Sequence, residues 1–483
     1  MKRYIVGIDE GTTNARVVLF DAVKNKIVKK ASEHFVQYYP APGWVEHNAE
    51  EIWEKVSTLL STVLEGLSPD EIYGIGLTNQ RETVVAWNKK TGKAAAKAIC
   101  WQCRRTSDYC SSLKFSVKKE IKKRTGLIVD AYFSASKMKW LLENNAKVQK
   151  LLKDDKLCMG TIDSYILYKL TNGEVFATDV TNASRTMIFN IHSLSWDEKL
   201  LKIFGIPQKI LPQIVSNSEI IGMAKTSIGE IPVASMIGDQ QSALFGQGCF
   251  ESGMAKNTFG TGSFMLCNTG NTPVHSKTLL TDVAYKIGED VTYALEGSVF
   301  NAGSAITWLQ ENMQLISEPE ETNDIDKKLS SNDGVYFVPA FTGLGAPHWD
   351  SDARGLICGL TRATTRNHII RACLESMAYS LQDILAEVGE LKELRCDGGV
   401  AKNNFLLQFQ ADLSETKVVK QKSVEATILG AIYLAGLATG AYKSLAEISH
   451  QMEIDKTFVP TAPRSVMQKN YDGWKKAIKK CRT

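Results

Sequence analysis

The residues of this chain whose types and spacing could do chemistry begin at Asp9, which stands at the mouth of a Gly11-Thr12-Thr13 turn. The apolar runs on either side, from Tyr4 and up to Asp21, read as two strands joined by that turn. A glycine lets a backbone approach a ligand closely, and threonine hydroxyls donate to oxyanions, so the turn suits a nucleotide phosphate. Asp9 would then orient magnesium through water, because that ion keeps several waters and favours a carboxylate together with phosphate oxygens. The competing reading is a buried hairpin in which Asp9 and Thr12 merely satisfy the turn through bonds to its backbone.

Two further turns have the same character. Gly260-Thr261-Gly262 repeats the strand, Gly-Thr turn, strand logic of the N-terminus, and Asp397-Gly398-Gly399 ends another apolar run. Such turns place unhindered backbone at strand ends, where open α/β sheets present their ligand sites. None fits the Gly-x-x-x-x-Gly-Lys-Ser/Thr loop or the Rossmann fingerprint. Asp239 follows the apolar run Ile231 to Ile237 and is free to accept a proton from a substrate hydroxyl in a phosphoryl transfer, its alternative being a helix N-cap. The neighbours Arg81 and Glu82 pair a guanidinium donor with a carboxylate acceptor, which suits adjacent hydroxyl groups. An exposed turn salt bridge is the alternative there. Trp101 with Arg104 and Arg105 reads equally as a core aromatic with solvated charge. Cys100 and Cys103 have metal-ligand spacing, but no second Cys-x-x-Cys or His-x-x-x-His completes a tetrahedral site, so packing residues are expected.

The elements that must position these residues are legible in outline. Asn48 is expected to cap a helix with Ile52, Trp53 and Val56 on one face. Ile72 to Leu77 reads as a buried strand, Thr78 to Glu82 as a polar turn, and Thr83 to Trp87 as the returning strand. Ser216 to Glu230 is expected to be a polar loop leading into the strand before Asp239. The second half supplies a helix after Gly303, a long helix from about Arg366 to Val388, a helix opening at Asn403, and a small-residue helix from Ala426 to Gly440 suited to close packing. Repetition of hairpin and β/α units implies two related α/β domains, residues 1–248 and 249–483, with a cleft between them.

Composition limits the partners. At 483 residues the chain exceeds what one core usually supports, and its net charge of +4 is too small to argue for nucleic acid or an anionic membrane. No uncharged stretch approaches the length of a membrane span, no leader pattern precedes the first strand, and the ten scattered cysteines fit reduced thiols, so the expected location is cytoplasmic. The basic run Lys475, Lys476, Lys479, Lys480 and Arg482 reads as a solvated helix face.

Taken together, Asp9 to Arg16, Pro42 to His47, Thr78 to Thr83, Trp101 to Arg105, Thr181 to Thr186, Gly238 to Gln241, Gly260 to Phe264, Pro339 to Trp349 and Asp397 to Phe405 resemble the FGGY family of carbohydrate kinases, and within it the members that act on glycerol. The resemblance covers nearly the whole chain. It implies two actin-like ATPase domains with ribonuclease H-like cores, and ATP-dependent phosphorylation of glycerol to sn-glycerol 3-phosphate with magnesium. It puts the polyol on Arg81, Glu82, Tyr132, Asp239 and Gln240, with Trp101 and Phe264 against its carbon edge and Asp239 as the general base. ATP phosphates fall on Thr12, Thr13, Asn14, Arg16 and Thr261, and the nucleoside on Gly303, Thr307, Gly399 and Asn403. The expected assembly is a homodimer or homotetramer.

Three positions depart from the family pattern: Glu10 replaces a glutamine and adds a carboxylate beside the phosphates, Thr307 replaces a nucleotide-contacting glutamine, and Val400 replaces an alanine. The region Lys225 to Ile231 lacks the Gly- and Arg-containing loop through which some bacterial members bind fructose 1,6-bisphosphate, so that inhibition is expected to be absent. The rival readings are a kinase for another polyol or a pentulose, and an actin-like filament or chaperone ATPase.

Overall fold

The computed structural model describes residues 2–423 and 425–482. The N-terminal sheet is built on β1 (Tyr4–Glu10), β2 (Asn14–Asp21), β3 (Lys26–His34), β4 (Ile72–Asn79) and β5 (Gly229–Gly238). They lie in the order β3-β2-β1-β4-β5; β1 pairs antiparallel with β2 and parallel with β4. The C-terminal sheet is built on β6 (Met254–Phe259), β7 (Ser263–Gly270), β8 (Asp290–Val299), β9 (Glu393–Asp397) and β10 (Val418–Gln421). Its order, β8-β7-β6-β9-β10, and its strand directions repeat those of the first sheet. The echo of the two Gly-Thr turns is therefore an echo of two whole sheets.

One expectation is corrected at the edge of the first sheet. Ser216 to Glu230 is not a loop: Ser218–Thr226 is a strand antiparallel to β5. The strand's centre, Ile220 to Ala224, is apolar, and what hides it is the polar residues on either side, Ser216 to Glu219 and Lys225 to Ser227, the latter entering the hairpin turn to β5.

The helices that matter for the cleft are α1 (Ala49–Leu64), α2 (Asp239–Gly246), α3 (Gly303–Glu311), α4 (Arg366–Leu385), α5 (Asn404–Ser414) and α6 (Ala426–Thr439). Asn48 caps α1 as expected, its side chain accepting from Glu50 N at 3.3 Å, and Ile52, Val56, Leu59 and Val63 bury one face. The N-terminal half also carries a five-stranded antiparallel sheet that includes Val84–Asn88 and Leu157–Thr161.

Each half has its own core, and a further core joins them. Ile5, Val18, Ile237 and Phe245 from the first half pack with Leu266, Ala294, Ile428 and Ile432 from the second. The helix α6 is hydrophobic all round because it is buried between α2 and the N-terminal sheet. Glycines set the distance: a Cβ on Gly246 would fall 1.9 Å from Ala426 O, and one on Gly430 would fall 2.0 Å from Ser242 O. Asp239, at the head of α2, is thereby held at a fixed place between the halves.

Candidate active site

The β1-β2 turn closes with Gly11 N donating to Asn14 O at 2.9 Å, and strand pairing sets Asp9 opposite Arg16. Thr12 Oγ1 accepts from the Trp101 indole at 2.9 Å, which ties the turn to the accessory sheet. Burial pushes the Asp9 carboxyl up to about 7; Arg16 opposes this, while the carboxylates of Asp239 and Glu425 add to it. Arg16 forms an ion pair with Glu425, the N-cap residue of α6.

The second turn is braced in the same manner. Ala302 N and Ser304 N donate to Thr261 O at 2.9 and 3.1 Å, and Gly303 N donates to Gly260 O at 3.0 Å. A Cβ on Gly303 would lie 2.6 Å from Gly260 O, so only glycine lets α3 start this close to the turn. Beside it opens a cavity of about 790 Å³ whose lining includes Thr261, Gly303, Thr307, Trp308, Gly399 and Asn403. Five residues expected on the nucleotide are thus brought together. Thr307 donates to Gly303 O at 3.3 Å, and Asn403 caps α5 through Leu406 N at 3.0 Å while donating to Thr322 Oγ1 at 3.1 Å. Val400 is part of the cavity wall.

Arg81 and Glu82 are buried, which removes the reading of an exposed turn salt bridge. Arg81 donates to both oxygens of Glu296, at 2.6 and 3.0 Å, and to Gln241 at 3.1 Å; its Nε lies 3.4 Å from Asp239. Glu82 has φ +61°, a left-handed conformation costly for a side chain with a Cβ, and Arg185 Nε donates to it at 2.6 Å. Burial pushes its carboxyl up, against the pull of Arg185 and Arg81. Asp239 is the first residue of α2, and Gly238 is the N-cap, so the capping alternative does not hold. Its Oδ1 accepts from Gln240 N at 2.8 Å, and the side chain keeps 29% exposure, enough to meet a ligand. Gln240 Oε1 accepts from Lys256 at 2.5 Å, a buried ammonium whose pKa burial lowers to about 8.

Trp101 and Tyr132 stack edge to face at 5.5 Å beside this clamp, while Phe264 lies on β7, in register with Thr258 and Ser298. Glu10 is completely buried, accepting from Gln80 Nε2 at 2.8 Å, and the same nitrogen donates to Gly11 O of the turn at 3.2 Å. Burial first, then the nearby Asp9 and Asp239 charges, push its carboxyl well up. Arg105 is likewise not solvated: it stacks over Trp44 at 3.8 Å and pairs with Glu46 at 2.6 Å. Cys100, Cys103 and Cys110 are buried free thiols, and among the described residues no group of three or more His, Cys, Asp or Glu is placed to hold a metal. Lys225 is already paired with Glu174 and Glu230, at 3.2 and 2.6 Å.

Sequence reasoning missed Lys137, Lys256, Asp282 and Glu296, and gave Arg185 no role of its own. For Asp282 and Glu296 the available signal was a charge inside an apolar strand, in Leu280 to Tyr285 and Tyr293 to Gly297.

Residues 4–246 match the N-terminal domain of the FGGY family of carbohydrate kinases, and residues 255–439 match its C-terminal domain. The chain is 47% identical over 490 residues to the glycerol kinase of Bacillus cytotoxicus, covering 99% of each, and 49% identical over 487 residues to that of Thermococcus gammatolerans, covering 99% of this chain and 98% of the other. Its fold superposes on a crystal structure of Plasmodium falciparum glycerol kinase with ADP at a TM-score of 0.93, with 39% identity over 99% of this chain and 98% of that one. Among the described residues no helix is long and apolar enough to cross a membrane.

Proposed function

The chain belongs to the FGGY family of carbohydrate kinases, and we infer that it transfers the γ-phosphoryl group of ATP to glycerol, giving sn-glycerol 3-phosphate. The observation that carries the reading is the clamp of Arg81, Glu82 and Asp239, whose aromatic wall is tied through the Trp101 indole to Thr12 of the phosphate turn. An actin-like filament or chaperone ATPase would have no use for a buried guanidinium and two carboxylates converging at this point.

In this reading Arg81 donates to, and Glu82 accepts from, neighbouring hydroxyls of glycerol, with Tyr132 and Gln240 completing the polar contacts and Trp101 and Phe264 covering the carbon edge. Asp239 takes the proton of the terminal hydroxyl as its oxygen bonds to the γ-phosphorus and the bond to the β-phosphate oxygen breaks. Thr12, Thr13, Asn14 and Arg16 hold the phosphates from one side and Thr261 from the other, with the nucleoside in the cavity that Gly303, Thr307, Gly399 and Asn403 help to line. The shared core between the halves supports closure, which keeps water from competing as the nucleophile.

The donor set fits magnesium: Asp9 offers a carboxylate at the phosphate turn, with those of Asp239 and Glu425 near enough to raise its pKa, and this ion needs few protein ligands when phosphates supply the rest. Bound there, it would neutralise charge that develops on the phosphate oxygens. Asp239→Asn tests the base: turnover falls about 100- to 10,000-fold with glycerol still bound, and wild-type turnover in the variant refutes the assignment. A panel of glycerol, xylulose and ribulose tests the substrate, and preference for a pentulose refutes it.

A further inference from the structure

The polyol clamp belongs to the N-terminal half by sequence, yet its side chains are held from the other half. Glu296 lies within β8 of the C-terminal sheet and is fully buried. Its two oxygens take the two terminal nitrogens of Arg81 at 2.6 and 3.0 Å, and Arg185 Nη2 lies 3.1 Å from the same carboxylate. Arg185 in turn donates to Glu82 at 2.6 Å and to both oxygens of Asp282, on the neighbouring strand Leu280–Ile287, at 2.9 and 2.8 Å. Two guanidiniums and three carboxylates are thus interleaved with 3% exposure or less at any of them. Burial alone would raise the Glu296 carboxyl, but Arg185 and Arg81 hold it down to about 2. The strand that carries Glu296 runs on to Val299, and shortly after it Gly303, the first residue of α3, donates to Gly260 O of the second phosphate turn at 3.0 Å.

Resting on the reading of Arg81 and Glu82 as glycerol contacts, we propose that Glu296 is a positioning residue for the reaction, with Asp282 as its support through Arg185. The nucleotide half of the molecule then sets the geometry of the glycerol clamp, and a change in the docking of the two halves is felt directly as a change in glycerol affinity. Glu296 is the one carboxylate that takes both terminal nitrogens of Arg81, whereas Asp239 and Glu82 lie 3.4 and 3.8 Å from its Nε, so neutralising Glu296 leaves the guanidinium drawn toward the glycerol side and no longer fixed in orientation. The nucleotide cavity contains none of these five residues and is left as it was.

The test uses the full chain and measures binding of glycerol, and of a non-hydrolysable ATP analogue without glycerol, beside steady-state kinetics. Glu296→Gln is expected to raise glycerol Kd and KM about 10- to 100-fold, the loss of a charge-assisted pair, with analogue affinity within about twofold of wild type. Asp282→Asn shifts glycerol binding the same way by a smaller factor, and Glu296→Asp, which restores the charge, recovers part of the loss. A role in stability alone would lower the melting temperature and leave glycerol Kd where it was. Unchanged glycerol affinity in folded Glu296→Gln overturns the proposal, as does equal weakening of both ligands. Where Glu296→Gln does not fold, Asp282→Asn decides on the same criteria. A wild-type protein that fails to bind glycerol refutes the functional reading itself, and this inference with it.

Discussion

Lys137 shows how one residue outside the clamp can govern it. Its ammonium is fully buried and donates to Ala131 O at 2.7 Å, Tyr132 O at 2.5 Å and Phe133 O at 3.2 Å, so it ties down the turn that presents Tyr132. Lys137→Met leaves the Ala131 and Tyr132 carbonyls without this donor, at about 1–3 kcal/mol for a buried group left unsatisfied. The expected outcome is a lower denaturation midpoint and a raised glycerol KM, with little change in ATP KM. Burial lowers the Lys137 pKa from 10.5 to about 8. The unfolded chain therefore binds more protons between those two values, and this group's share of stability is present above the upper one and lost as pH falls through about 8. Lys256 is lowered to about 8 as well, so denaturation measured from pH 7 to 10.5 should lose part of this rise with pH, not all of it, in Lys137→Met. A lysine in a polar-looking helix gave no hint of this role, because its three acceptors are backbone atoms brought near by a turn. Asp9, Arg81, Glu82 and Asp239 were legible for the opposite reason: each stands next to a turn or strand end that the local pattern itself defines.

At the scale of elements, the crossing of α2 and α6 is what keeps Asp239 in place. Gly430→Ala would put a methyl 2.0 Å from Ser242 O, backbone that cannot yield without moving α2. The cost is about 1–3 kcal/mol or more by overpacking, and turnover should fall with it because Asp239 heads the displaced helix. Gly440 is the control: it ends α6 with φ +76° and open space where a Cβ would go, so Gly440→Ala should cost only about 1 kcal/mol and spare turnover. Chemical denaturation and turnover of the two variants check the contrast. The small-residue run from Ala426 to Gly440 was legible as a packing surface, whereas its partner was not, since nothing local says which of several helices it meets. The same limit explains Ser218–Thr226: its short apolar centre lies between polar residues, and nothing local says that it pairs with β5. Glu296 and Asp282 were hidden at this scale too, because their counter-ions Arg81 and Arg185 lie about 100 to 200 residues away in the N-terminal half, one in the bend after β4 and one at the end of the short helix Val180–Ser184.

Across the whole molecule the two halves meet at the cleft mouth through the ion pair of Arg16 and Glu425. Arg16 is also the residue proposed to meet ATP phosphates, so Glu425 and the nucleotide compete for one guanidinium. The pair keeps 30% and 20% side-chain exposure, and such pairs contribute about 1 kcal/mol or less. Glu425→Gln should therefore leave the denaturation midpoint nearly unchanged. Releasing Arg16 is worth at most that same amount to the nucleotide, so KM for ATP should fall up to about fivefold at saturating glycerol. The fall should shrink as salt rises, since screening weakens the competing pair in the wild type. The opposite sign has a distinct meaning. Glu425 also lies close enough to Asp9 to help raise its pKa, and a rise in KM for ATP that excess magnesium reverses would show that Glu425 serves the metal rather than restrains Arg16.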